Sequence, residues 1–163
     1  MAGRLILLLC LFCFSIAVAQ INDSKIRERV LQQNEIGENF TFGKWNESGE
    51  TQTDLKYLGY VKTMQGKIFK VLTFAWHWGT AHHATSKILI YNDENQYVGE
   101  YNVGAVYDLP DELKDGQLIF YHTNSDSCDK NLHTKIDLKK GLPVKFFLKC
   151  KEKYGDVYHF SSQ

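Results

Sequence analysis

The sequence predicts a mainly β protein, an antiparallel β-sandwich of about eight strands with one short N-terminal helix. From Leu55 onward, apolar and polar residues alternate with a period of two, the repeat of strands that bury one face. These runs are short and are separated by turn residues, as in sandwiches and barrels built from antiparallel strands. A closed β-barrel is the alternative, because both architectures share this pattern.

The helix is predicted before the strands, in the sequence NDSKIRERVLQQNEIGENF. Asp23 or Ser24 can cap its start, and Gly37 is the expected end. The polar segment GKWNESGETQTD that follows is expected to be a loop. The apolar stripe of the helix consists of Ile26, Val30 and Leu31.

Two hairpins are predicted in the strand region. Gly66 in Met64-Gln65-Gly66 can adopt the tight turn between LKYLGYVKT and KIFKVLTFAWHW. Asn and Asp tolerate left-handed geometry, so the NDEN sequence at 92–95 is the second turn. The strand IFKVLTFAWHW is apolar on both faces, which predicts a central strand covered on both sides, with the helix as one cover.

The first nineteen residues predict a secretory signal peptide. Arg4 precedes an apolar run from Leu5 to Val18, and Ala17-Val18-Ala19 supplies a small-x-small cleavage pattern. The run is shorter than the ~20 residues needed to span a bilayer, so no membrane span is expected after cleavage. Residues 20–163 are then expected to form one secreted or periplasmic domain, because they contain no linker, low-complexity tract or internal repeat.

The cysteines and charges narrow the function class. Cys10 and Cys13 leave with the signal peptide, and Cys128 and Cys150 are expected to pair, since disulfides persist in oxidising compartments. The formal net charge is +0 and the lysines are scattered, which argues against nucleic acid as a partner. No G-x-S-x-G elbow, P-loop or G-x-G-x-x-G occurs in the sequence.

Three histidines in WHWGTAHHA are the candidate metal ligands. His77 with His82 or His83 could bind zinc, although no fixed-spacing third ligand is evident. Consecutive residues of an extended chain point to opposite faces, so His82 and His83 are expected to diverge. Trp76 and Trp78 are expected to pack in the core, with His77 pointing away from both. The favoured expectation is therefore no cofactor, with zinc as the alternative.

Tyrosines near the second hairpin are the candidate ligand-binding residues. Tyr97 and Tyr101 are expected on one face of their strand, spaced by Gly99, with Tyr107 following. Exposed tyrosines beside small residues can bind a carbohydrate, a peptide or a protein, because each offers apolar area and one polar group. The competing interpretation is that they only cover a sheet.

The sequence as a whole favours a secreted or periplasmic, disulfide-stapled β-rich binding or interaction module without catalytic machinery. One alternative is a small metal-binding protein or metal-dependent enzyme that uses His77. The other is a lipocalin-like carrier, in which the strands close around an apolar ligand. Three N-x-S/T triplets are glycosylation acceptors if the host glycosylates; they begin at Asn22, Asn39 and Asn46.

Overall fold

The computed structural model describes residues 23–122 and 127–162, and the predicted signal peptide and Asn22 lie outside this part of the chain. One α-helix and ten strands are found there, with a 3₁₀ turn at Val106–Asp108. The elements are α1 (Asp23–Gln33), β1 (Asn39–Gly43), β2 (Gln52–Lys62), β3 (Ile68–Trp78), β4 (His83–Tyr91), β5 (Tyr97–Val103), β6 (Glu112–Lys114), β7 (Gln117–Phe120), β8 (Thr134–Asp137), β9 (Lys145–Lys151) and β10 (Tyr154–Ser162).

The strands form two antiparallel sheets, which confirms the predicted β-sandwich. The larger sheet has seven strands in the order β1-β2-β3-β4-β5-β10-β9, and the smaller has the order β6-β7-β8. The larger sheet ends at β1 and β9 and does not close, so the barrel alternative is wrong. The prediction missed β1 and β6, because these strands have only five and three residues.

Each face of the seven-stranded sheet has its own core. The side that we call the sandwich face packs against the three-stranded sheet, with Val71 and Ile88 beside Leu118. The side that we call the helix face packs against α1, where Val30 contacts the cluster that contains Leu72. Strand β3 supplies residues to both clusters, so the expectation of a central strand covered on two sides, one of them by the helix, is confirmed.

A residue in the left-handed backbone conformation lies in each of the two predicted turns. Gly66 has φ of 82° between β2 and β3, and Asn95 has φ of 62° between β4 and β5. Both hairpins are therefore confirmed. The helix ends earlier than predicted, because Asn34 adopts φ of 55° just after Gln33 and its N–H donates to the Val30 carbonyl.

The disulfide between Cys128 and Cys150 ties the segment after β7 to the end of β9. The Cα atoms are 4.6 Å apart, and the neighbouring Asp129 N–H donates to the Cys150 carbonyl at 2.8 Å. The predicted pairing is therefore present in the fold. Among the described residues, no helix has the length and apolar character needed to cross a membrane.

Candidate functional site: an exposed tryptophan patch

Strand β3 extends beyond the cover that α1 provides. Phe74 is 7% exposed and belongs to the core under the helix, whereas Trp76 and Trp78 are each 37% exposed. All three residues lie on the helix face, because alternate residues of a strand share one side. The prediction that the tryptophans pack in the core is wrong, because the helix covers this face only as far as Phe74.

The exposed indoles lie in a defined arrangement that we call the tryptophan patch, composed of Trp76, Trp78, His83 and Thr85. The two indole centroids are 5.7 Å apart, with 24° between the ring planes. Trp78 Nε1 donates to Thr85 Oγ1 at 3.3 Å, and the His83 ring lies 4.9 Å from the Trp78 ring. The cross-strand neighbours therefore hold the exposed rings in place.

Polar groups border the tryptophan patch on the helix face. Lys87 and Glu100 form an ion pair across β4 and β5, with Nζ and Oε1 2.7 Å apart. Asn102 is exposed and stands opposite Lys87 in the strand register. In the strand register, Lys87 and Asn102 thus lie one same-face step from Trp76, and Glu100 lies one step further along the sheet.

The sandwich face carries a different cluster at the same end of β3. His77 Nε2 lies 3.1 Å from Asp54 Oδ2, and Asp54 Oδ1 accepts a hydrogen bond from the Thr41 hydroxyl at 2.7 Å. The His82 ring lies 5.1 Å from the His77 ring and stacks on Trp45, with centroids 3.9 Å apart. His77 therefore points away from both strand tryptophans, as predicted.

The three candidate histidines do not lie in one cluster. His82 lies beside His77 on the sandwich face, whereas His83 contacts Trp78 on the helix face. Their divergence is confirmed, although the cause differs in part, because His82 is a turn residue with φ of 52°. Within residues 23–122 and 127–162, no three His, Cys, Asp or Glu side chains are grouped so that they could hold a metal ion.

The three candidate tyrosines do not form one platform. An extra residue in β5 places Tyr97 opposite Tyr91, whereas Gly99 pairs with the adjacent Ile90. This bulge puts Tyr97 on the helix face and leaves Tyr101 on the sandwich face, so the expectation of a shared face is wrong.

The three tyrosine environments differ in burial. Tyr101 is fully buried and its hydroxyl donates to the Pro143 carbonyl at 2.7 Å. Tyr97 is half-buried, and Tyr107 is 45% exposed in the 3₁₀ turn. Tyr101 is therefore a core residue, and Tyr107 stands apart from the other two.

Two residues of the cluster around His77 were not predicted from the sequence. Trp45 lies in the segment expected to be a loop, and its indole N–H donates to the Gly79 carbonyl at 2.8 Å. Asp54 pairs with His77 only because β2 and β3 align in the hairpin. Strand alternation could have predicted the position of Asp54. If the alternation is extended back by one residue from Leu55, Asp54 falls on the same face as His77.

The lipocalin-like alternative loses its structural basis, because it required strands closed around a cavity. The space between the two sheets is instead filled by side chains that include Tyr101, Phe120 and Phe146. The rings of Tyr101 and Phe146 contact each other edge to face, with centroids 5.1 Å apart. These aromatics therefore fill an inter-sheet core.

No protein-family model, curated protein or solved structure matches this chain.

Proposed function

We propose that this chain is a secreted or periplasmic, non-catalytic binding module that holds a carbohydrate on the tryptophan patch. The observation that carries the proposal is the exposure of Trp76 and Trp78 on a sheet face that α1 covers up to Phe74. Indoles are among the largest apolar side chains. Each Å² of apolar surface that stays in contact with water loses about 25 cal/mol of the stabilisation that burial would provide. Such exposure is typical of a surface that meets a ligand.

The geometry of the rings supports a rigid binding surface. Trp78 is fixed by its hydrogen bond to Thr85 and by the His83 ring, and Trp76 is stacked against Trp78. A ligand that meets side chains already held in position loses less conformational freedom on binding. The patch therefore needs little rearrangement to receive a flat, partly apolar molecule.

Carbohydrate is the ligand class that suits both the rings and their border. A sugar ring presents a face of C–H groups, which packs against the electron-rich face of an indole. Its hydroxyls need donors and acceptors at the edge of the contact, and Lys87 and the Asn102 amide supply both. A protein partner would favour a wider apolar centre without charged groups so close to it.

Location outside the cytoplasm is supported by two features. The bond between Cys128 and Cys150 is of a kind that persists in oxidising compartments. The first nineteen residues carry the pattern of a cleaved signal peptide. An exported binding module would encounter extracellular or periplasmic glycans.

Affinity electrophoresis against soluble glucans, mannans and xylans tests the proposal. We expect at least one polysaccharide to retard the protein, and Trp78→Ala to weaken that binding by about tenfold or more, the effect of losing about 1.4 kcal/mol. Tyr60→Ala is the matched control, because Tyr60 is 60% exposed near the other end of the same strand pair. Retardation that Trp78→Ala leaves intact would contradict the proposal, as would a panel in which no polysaccharide binds.

A further inference from the structure

A cleft lies at the opposite end of β4 from the tryptophan patch, between α1 and the β4–β5 hairpin. Its volume is about 450 Å³, within the range of small-molecule binding sites. Tyr91 and Tyr97 belong to the core under α1, so the cleft opens on the helix face, like the tryptophan patch. We call it the tyrosine cleft; it is lined by Ser24, Arg27, Glu28, Tyr91, Asn95 and Tyr97.

Two phenol rings form the aromatic wall of the cleft. Tyr91 and Tyr97 meet edge to face, with centroids 5.6 Å apart and 64° between the planes. Burial raises the pKa of both hydroxyls above the usual value, and for Tyr97 the neighbouring Glu100 adds to the effect. Both hydroxyls are protonated at neutral pH, as tyrosine hydroxyls ordinarily are. The Tyr97 hydroxyl donates to Glu100 Oε2 at 2.8 Å and keeps lone pairs that can accept a hydrogen bond.

Planar polar groups form the rest of the lining. Arg27 and Glu28 bring one positive and one negative charge to the cleft. Asn95 is held by Lys70, whose ammonium lies 2.6 Å from Asn95 Oδ1, so the amide N–H groups of Asn95 are the ones that can serve a ligand. The guanidinium and amide N–H groups can donate to sugar hydroxyls, and the carboxylate can accept from them.

We infer that the tyrosine cleft binds a single neutral sugar residue. The phenol rings match the apolar face of a sugar, and Arg27, Glu28 and Asn95 match its hydroxyls. The lining carries one positive and one negative charge, which favours a neutral ligand over a strongly charged one. The inference extends the proposed function, because it adds a second contact point for the same class of ligand.

The two sites lie along one line on the helix face. Glu100 connects them, since its carboxylate accepts from Tyr97 at the cleft and pairs with Lys87 beside the tryptophan patch. Strand β4 runs from His83 at the patch to Tyr91 at the cleft, a span of roughly 26 Å at ~3.3 Å per residue. A glycan chain of that length could contact both sites, whereas a monosaccharide would occupy only one.

Chemical-shift titration with glucose, galactose, mannose and N-acetylglucosamine tests the cleft directly. At least one sugar should give saturable shifts at Tyr97 and Asn95. Asn95→Gly, which preserves the left-handed turn, and Arg27→Lys, which keeps the charge but loses the forked donor, should each raise that Kd by about tenfold. Arg29→Lys is the control, because Arg29 is an exposed arginine of the same helix.

The outcomes separate this inference from the proposed function. Monosaccharide binding at the cleft that survives Trp78→Ala, but not Asn95→Gly, supports the inference. No shift at the cleft with any of the four sugars would overturn it, as would equal weakening by Arg29→Lys. Polysaccharide binding that depends on Trp78 would still support the tryptophan patch if the cleft failed.

Discussion

The rings of Trp45 and His82 lie stacked on the sandwich face, 3.9 Å apart between centroids and with 22° between their planes. The stack joins the loop after β1 to the turn between β3 and β4, and the hydrogen bond from Trp45 Nε1 to the Gly79 carbonyl strengthens the connection. These contacts fix the end of β3 from the side opposite the tryptophan patch. The loop and the turn therefore support the strand on which the proposed site is built.

We expect Trp45→Ala to lower the free energy of unfolding by about 1–3 kcal/mol, because it removes both the ring stack and the hydrogen bond. His82→Ala should cost about 1 kcal/mol, since it loses the stack and places alanine at a positive φ. Urea denaturation of the two variants measures these costs. His159→Ala, with a change within about 0.5 kcal/mol, is the control, because His159 is an exposed residue of β10. A cost for Trp45→Ala no larger than that of His159→Ala would contradict this stabilising role.

Neighbouring aromatic residues of β3 should respond differently to truncation. Phe74→Ala should lower the unfolding free energy by about 3–5 kcal/mol, because Phe74 is packed under α1. Trp76→Ala should cost about 1 kcal/mol, because 37% of the residue is exposed to water. Chemical denaturation compares the two variants. Equal costs would show that Trp76 is packed in solution and that the patch is not exposed.

Strand alternation was sufficient to predict the fold class, the hairpins and the orientation of His77. It could not predict that Trp76 and Trp78 are exposed, because that depends on how far α1 reaches across the sheet. It placed Tyr97 wrongly because a single bulged residue reverses the faces of a strand. The stack of Trp45 on His82 joins residues far apart in the chain and has no local signal.

The disulfide prediction concerns Cys150→Ser. Loss of the bridge should lower the unfolding free energy by about 2–5 kcal/mol, the range typical of native disulfides in small secreted domains. The native protein should show no titratable thiol before reduction. Cys128→Ser should reproduce the effect, and the double variant should add nothing further, since both singles break one bond. Two reactive thiols in the native, unreduced protein would contradict the pairing.

Buried tyrosines should make the protein sensitive to alkali. Burial raises the pKa of Tyr101 and Tyr158 above the ordinary value of 10.0. The unfolded chain therefore releases these protons first, so stability is complete below about pH 10 and falls as the pH rises from there toward the raised values.

The measurement is the urea midpoint as a function of pH from 8 to 12. Tyr101→Phe should reduce the steepness of the alkaline loss, because phenylalanine has no proton to release. Tyr60→Phe serves as the control, because Tyr60 is exposed. A pH dependence that Tyr101→Phe leaves unchanged would contradict the assignment.

The indole N–H resonances of the three tryptophans provide the most direct test of the tryptophan patch. Trp76 and Trp78 lie on the proposed binding face, whereas Trp45 lies on the opposite face with its N–H bonded to the Gly79 carbonyl. A titration with the polysaccharide that retards the protein, followed by ¹H–¹⁵N correlation spectra, should shift the Trp76 and Trp78 signals saturably and leave Trp45 in place. Shifts confined to Trp45, or spectra in which no indole signal moves, would contradict carbohydrate binding at the patch.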